Sequence, residues 1–149
     1  MEIKGKAVLT RLASLGAAIW LGAQLGFGYV AAPVLFRYLP KMEAGNIAGE
    51  LFHIVAYVGL SVWLLVWVSI MRQGGKIVYW VSGLLVLLAI NEFVVTPVIE
   101  AHKAGSTNWM LSLVGGSFGI WHGISSMIYL LCGILGTVLF WRLNRFDGK

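Results

Sequence analysis

Phe118-Gly119-Ile120-Trp121-His122-Gly123-Ile124-Ser125-Ser126 sets a histidine and two hydroxyls inside an apolar run, with Gly115, Gly119 and Gly123 recurring every fourth residue. Polar side chains are costly in hydrocarbon, so inside a membrane they turn toward partners on neighbouring helices. A small residue at every fourth position lets two helix backbones approach closely. The stretch therefore reads as the polar, close-packing face of a transmembrane helix, and it implies further helices of the same kind.

Composition supplies them. The chain has 149 residues, 59% hydrophobic and 11% charged, with a mean hydropathy of +0.85. A soluble domain carries about a quarter charged residues. Four apolar runs, near 8–31, 47–71, 77–98 and 117–141, are long enough to cross a hydrocarbon core of about 30 Å as helices. The expected fold is all-α: a polytopic four-helix transmembrane bundle forming one domain over residues 1–149.

The net charge of +5 records topology. Lys4, Lys6, Arg11, Arg72, Lys76, Arg142, Arg145 and Lys149 fall on one side of the four runs, and only Arg37, Lys41 and Lys103 on the other. The positive-inside rule then predicts both termini in the cytoplasm of a bacterial inner membrane. No nucleic-acid partner is implied; the expected surroundings are the lipid bilayer. Trp63, Trp67, Tyr79, Trp80 and Trp141 near the inner boundary, with Tyr29, Tyr38 and Trp109 near the outer one, read as an aromatic belt. The first apolar run ends in Ala31-Ala32-Pro33 and imitates a signal peptide, but it exceeds the usual signal core of about 7–15 residues and is expected to be a retained helix. The single cysteine, Cys132, lies in the fourth run and reads as a small packing residue.

Ala18, Gly22 and Gly26 form a second small-residue face, so both glycine-rich faces are candidates for helix contact, a homo-oligomer or a membrane-complex partner. Helix three is predicted to stop at Thr96-Pro97, since the residue before proline is pushed out of helical geometry. Residues 106–116 leave two possibilities open. Either the fourth span starts early, capped near Ser106 or Thr107, or a short interfacial helix precedes a break at Gly115-Gly116.

The polar residues share one depth. Counted back from the outer ends at 1.5 Å per residue, Gln24, His53, Glu92 and His122 all lie about 8–10 Å below the boundary, with Asn91 beside Glu92 and Glu50 one turn shallower. They also share faces. Glu50, His53, Tyr57 and Ser61 form one helical stripe, His122, Ser125, Ser126 and Tyr129 another, and Glu92 shares a face with Thr96. The expectation is a buried polar site open toward the outer side, built from His53, Glu92 and His122 with Glu50, Tyr57, Asn91, Ser125 and Arg37 in support.

Three uses of such a site stay open. The residues can form a packing network, with Arg37 paired to Glu50 or Glu92 as a clip. Two histidines on facing helices can hold haem b, or with a carboxylate a divalent metal ion, Tyr57 and Ser125 then bonding the ring nitrogens. Glu92 and the histidines can serve small-solute or metal efflux, with Glu100 and His102 at the mouth. The working expectation is haem or a metal ion at His53 and His122, with Glu92 as a third metal ligand. No short-spaced ligand motif, phosphate loop or serine elbow supports an enzyme assignment.

Ala31-Ala32-Pro33-Val34-Leu35-Phe36-Arg37-Tyr38-Leu39-Pro40, Ala44-Gly45 with Ala48-Gly49 and Leu51-Phe52, Asn91 to Pro97, and Phe118, His122-Gly123 and Ser125 together form a pattern across nearly the whole chain. It resembles a bacterial four-helix membrane family catalogued only as a domain of unknown function, itself similar to a eukaryotic transmembrane protein associated with platinum-drug resistance. The resemblance implies the fold and a membrane location without an activity. More remotely, the layout is similar to copper-resistance and haem-biosynthesis membrane proteins that carry helix histidines, which would map onto His53 and His122.

Overall fold

The computed structural model describes residues 2–71 and 74–146, with side chains for residues 11–71 and 74–145. Arg72 and Lys149, and the side chains of Lys4 and Lys6, all counted in the charge asymmetry, lie outside the described residues. Seven α-helices follow in order: α1 (Glu2–Gly26), α2 (Ala32–Tyr38), α3 (Lys41–Met71), α4 (Lys76–Ile90), α5 (Thr96–Lys103), α6 (Trp109–Val114) and α7 (Phe118–Phe146). Wider π-helical segments, Phe27–Ala31 and Asn91–Val95, join α1 to α2 and α4 to α5 without a break. Four continuous helical rods result, Arg11–Tyr38, Lys41–Met71, Lys76–Lys103 and Phe118–Arg145, each long and apolar enough to cross a membrane. Four crossings bring the first and last rods to a common end; the opposite end is called distal below.

The helices therefore do not stop at Pro33 or Pro97, and the reason is local. A proline ring inside an α-helix clashes with the carbonyl four residues back and removes one hydrogen bond. Here the turn before each proline is widened. Ala32 N–H bonds the Phe27 carbonyl and Thr96 N–H bonds the Asn91 carbonyl, each five residues back, and Pro33 or Pro97 follows immediately. The wider turn carries the ring past the obstruction. The first rod ends instead at Leu39, extended at φ −116° and ψ 155°, as its position before Pro40 requires.

Residues 106–116 do not extend the last helix. Asn108 caps the separate α6, its side-chain oxygen accepting from Leu111 N–H at 2.8 Å. Gly115 and Gly116, at φ +68° and +101°, then make the break that L-residues would resist.

Each long rod packs on two neighbours: α1 on α3 and α7, and α4 on α3 and α7. The core of the half nearer the termini is organised by Trp20 and Trp63, both fully buried and edge to face at 5.7 Å between ring centroids. Trp20 Nε1 donates to the Val55 carbonyl at 2.9 Å. Its ring enters a slot made by two glycines: a Cβ at Gly59 would lie 2.3 Å from Trp20 Nε1, and one at Gly136 2.6 Å from its Cζ3. Trp63 thus belongs to the core and not to the aromatic belt, whereas Tyr79, Trp80 and Trp141 are exposed.

The predicted glycine stripes are not the faces on which the rods of one chain pack. Gly22, Gly26 and Gly123 meet nothing within 4 Å of an added Cβ, and Gly119 meets only Ser117 beside it. Periodicity reports that a stripe exists. Which stripe faces a neighbour depends on where a large ring such as Trp20 needs room. The outer surface of the rods is a coat of exposed Leu, Ile, Val and aromatic side chains, consistent with contact to a bilayer.

Candidate functional site

In the distal half the rods separate around a cavity of about 650 Å³. Both π-helical segments lie at this level, and π-turns inserted in α-helices recur at functional sites. Widening the first rod places Gly28 against the Tyr129 ring, where a Cβ would come within 2.6 Å of Cε1. Widening the third places Asn91 and Glu92 on the cavity wall. The remaining wall is largely apolar and aromatic, with Phe52, Phe118 and Tyr129 among its rings.

Of the residues expected from sequence, Gln24, His53, Asn91, Glu92, His122 and Ser125 line this one cavity. His53 and Glu92 are bonded to each other across α3 and the Asn91–Val95 segment, Nδ1 to Oε1 at 2.6 Å. Glu92 is 5% exposed, so its partner is a necessity: a buried charged or polar group left unpaired costs about 1–3 kcal/mol or more. Gln24 and Tyr129 tie the first and last rods together reciprocally. Gln24 Nε2 donates to the Tyr129 carbonyl at 2.8 Å, and Tyr129 OH donates to the Gln24 carbonyl at 2.6 Å.

Other expected members lie elsewhere. Glu50, Tyr57 and Ser61 sit on the edge of the His53 stripe that turns away from the cavity; Tyr57 is exposed and meets Phe93 edge to face at 6.2 Å. Neither Tyr57 nor Ser125 bonds a histidine ring. Arg37 pairs with neither Glu50 nor Glu92; its guanidinium lies 5.7 Å from the Tyr38 ring centroid, and Glu92 has taken His53 instead. His122 is exposed and stacks on Phe118 at 5.7 Å, the planes 8° apart, with His102 edge-on to the same Phe118.

Among the described residues no three His, Cys, Asp or Glu side chains form a group that could hold a metal ion. The expected set His53, Glu92 and His122 is therefore not assembled. The geometry gives no support to a haem or metal centre.

Continuation of the third rod through Pro97 adds Lys103 to the Glu100 and His102 expected at the mouth. Glu100, His102 and Lys103 line the distal mouth with Lys41. Lys103 Nζ bonds Glu100 Oε1 at 2.9 Å and reaches the Gly45 carbonyl at 3.3 Å, joining α5 to α3. The signal was present in the sequence: Glu92, Thr96, Ile99 and Lys103 repeat at helical spacing straight through the proline.

Three buried polar atoms on cavity-lining residues have no hydrogen-bond partner: Gln24 Oε1, Asn91 Oδ1 and His102 Nε2. Cys132, which also lines the cavity, is a free and buried thiol.

Comparison with known proteins places this architecture. Residues 15–108 match a family described as "Domain of unknown function (DUF4149)". The chain is also 34% identical over 131 residues to a protein of Aquifex aeolicus (strain VF5) named only "Uncharacterized protein", an overlap covering 86% of this chain and 92% of that one. No solved structure matches the chain. The protein belongs to this family of unknown function, and its four long apolar rods make it a multi-pass membrane protein. Nothing in these matches extends to the eukaryotic protein associated with platinum-drug resistance.

Proposed function

We propose that this member of a family without an assigned activity is a membrane-embedded binding protein for a small amphipathic organic molecule. The observation that carries the reading is the distal cavity: about 650 Å³, walled mainly by apolar and aromatic side chains, with a few polar groups converging from all four rods. That size and lining are typical of organic-ligand pockets, in which apolar walls supply affinity and a few polar atoms fix orientation. A network serving packing alone would close on itself, whereas this one leaves Gln24 Oε1 unsatisfied at 1% residue exposure. The charge asymmetry supports a bacterial inner membrane with both termini cytoplasmic, which sets the cavity in the outer half of the bilayer.

Organic ligand and inorganic centre are separated by one preparation. The protein is extracted from its own membrane in mild detergent without chelators and divided for native mass spectrometry, absorption spectroscopy and elemental analysis. The expected result is a co-purifying organic adduct in a colourless sample free of stoichiometric metal. A Soret band or one equivalent of metal, lost in both His53→Ala and His122→Ala, would overturn the reading and restore the two-histidine centre. An empty protein with neither adduct nor metal would assign the polar groups to packing.

A further inference from the structure

Resting on the reading of the cavity as an organic-ligand site, we infer that its ligand is a chain-bearing lipid of the bilayer. It enters sideways between the first and last rods, with its head and upper chain in the cavity and the rest of the chain in the seam. The observation is a helix face that loses its partner partway along. Gly119, His122, Ser126, Tyr129, Gly133 and Gly136 follow one another at steps of three and four, which sets them in one stripe of α7. Toward the termini the first rod covers this stripe. A Cβ at Gly136 would meet the Trp20 ring, and one at Gly133 would lie 3.3 Å from Gln24 Nε2. Gly28 against the Tyr129 ring is where that packing gives out. In the distal half, residues 27–38 stay packed on α3 while residues 91–103 stay packed on α7. Ser126, His122 and Gly119 continue the stripe without the first rod, and all three are exposed.

The parting is one-sided. Between the second and third rods the distal half is pinned by His53 on Glu92 and by Lys103 on the Gly45 carbonyl. Between the first and last rods, Gln24 and Tyr129 make the final hydrogen bonds among the described residues. Beyond them Tyr29 on one side, with His122 and Ser126 on the other, line the cavity and are exposed as well. The connection to α7 does not cover this opening. Residues 104–117 line none of the cavity, and Met110 and Leu111 of α6 pack with Val98, Ile99 and Trp121 instead. The seam runs between two rods long and apolar enough to cross a membrane, so the molecules outside it are lipids. Its occupant also needs polar atoms. Ser126 Oγ is spent on the His122 carbonyl, but the His122 ring makes no hydrogen bond among the described residues, and a polar side chain facing hydrocarbon alone is costly. A lipid meets both demands: its head group lies past His122 in the cavity, and its chain covers the uncovered stripe.

The test places the full-length chain in nanodiscs of phosphatidylethanolamine and phosphatidylglycerol in equal parts, each with a photoactivatable diazirine near the head-group end of one chain. After illumination the attachment sites are mapped by mass spectrometry. Attachment at the cavity residues Phe52 and Leu88 is measured against attachment at the outward residues Ile54 and Phe93. The unaltered chain should label at both. Ser126→Trp sets an indole in the seam, and Asn46→Trp sets one at the distal mouth. An occupant that must displace the indole meets the cost of overpacking, so Ser126→Trp should lower cavity labelling about five-fold or more, while Asn46→Trp leaves it within about two-fold. Gly119→Trp, on the same stripe, repeats the block should Ser126→Trp not fold. Loss in Asn46→Trp alone would overturn the inference in favour of entry from water at the mouth, and loss in no variant would overturn the route. A chain with no cavity labelling that is a dimer by native mass spectrometry, split by Ser126→Trp, would give the seam to a second copy and overturn the inference. No cavity labelling, with an adduct other than a lipid on the protein from its own membrane, would overturn it and leave the ligand pocket standing. Neither labelling nor adduct would overturn both.

Discussion

The two halves of the bundle solve opposite problems with the same four rods. Near the termini, a tryptophan fills a slot cut by two glycines, and helix backbones come together around the Trp20–Trp63 pair. In the distal half, two prolines each force a widened turn, and the rods part around a cavity whose wall carries amide, carboxylate and imidazole groups. The packed half is not free of loose ends, since Trp63 Nε1 has no partner. Yet there the orphan is one group in a filled core, whereas the distal orphans belong to residues that line a cavity. One simple fold is thus packed at one end and open at the other. Close packing at one end holds the rods together while the other end stays open.

Breaking the packed half should cost most. Trp20→Ala removes the ring and its bond to Val55 and should lower stability by about 3–5 kcal/mol, measured as loss of cooperative unfolding temperature in detergent. Gly59→Ala introduces a methyl where Trp20 already stands and should cost about 1–3 kcal/mol by overpacking, in the same assay. In the distal half, His53→Leu leaves Glu92 buried without its partner and should cost about 1–3 kcal/mol. The double variant His53→Leu with Glu92→Leu should recover most of that loss, and a simple sum of the two single effects would show that the residues do not act as a pair. The smallest effect belongs to the outward glycines. Gly22→Leu and Gly123→Leu should stay within about 0.5 kcal/mol in the monomer, and a large loss at either would reveal a partner helix on that face.

The four-helix membrane-spanning architecture was legible, because four long apolar runs admit few alternatives in a chain of this length. The gathering of Gln24, His53, Asn91, Glu92, His122 and Ser125 was legible as well, since depth and helical phase are both periodic in sequence. Three things were not. Whether a proline ends a helix or is absorbed by a π-turn depends on whether neighbouring rods continue to support the chain beyond it. Which glycines pack depends on a tryptophan 39 residues from Gly59 and 116 from Gly136, a relation that no stripe encodes. A stripe about 80° wide also straddles the edge of a cavity, which is how His53 came to face inward and Glu50 and Tyr57 outward. Of the expected metal set, His53 and Glu92 are brought together, while His122 stacks on Phe118 and no group of three forms among the described residues.

The contrast between a filled and an open half is tested most directly by adding the same phenyl ring to each. Ser125→Phe places it at the cavity wall, and Gly59→Phe places it in the tryptophan slot. Thermal unfolding of the two variants beside the unaltered chain is the measurement. Ser125→Phe is expected to melt at or above the temperature of the unaltered protein, because the ring finds empty volume, while Gly59→Phe melts far below it or fails to fold. Equal losses in both variants would mean that the distal half is packed as tightly as the other, and the proposed ligand site would have no room to exist.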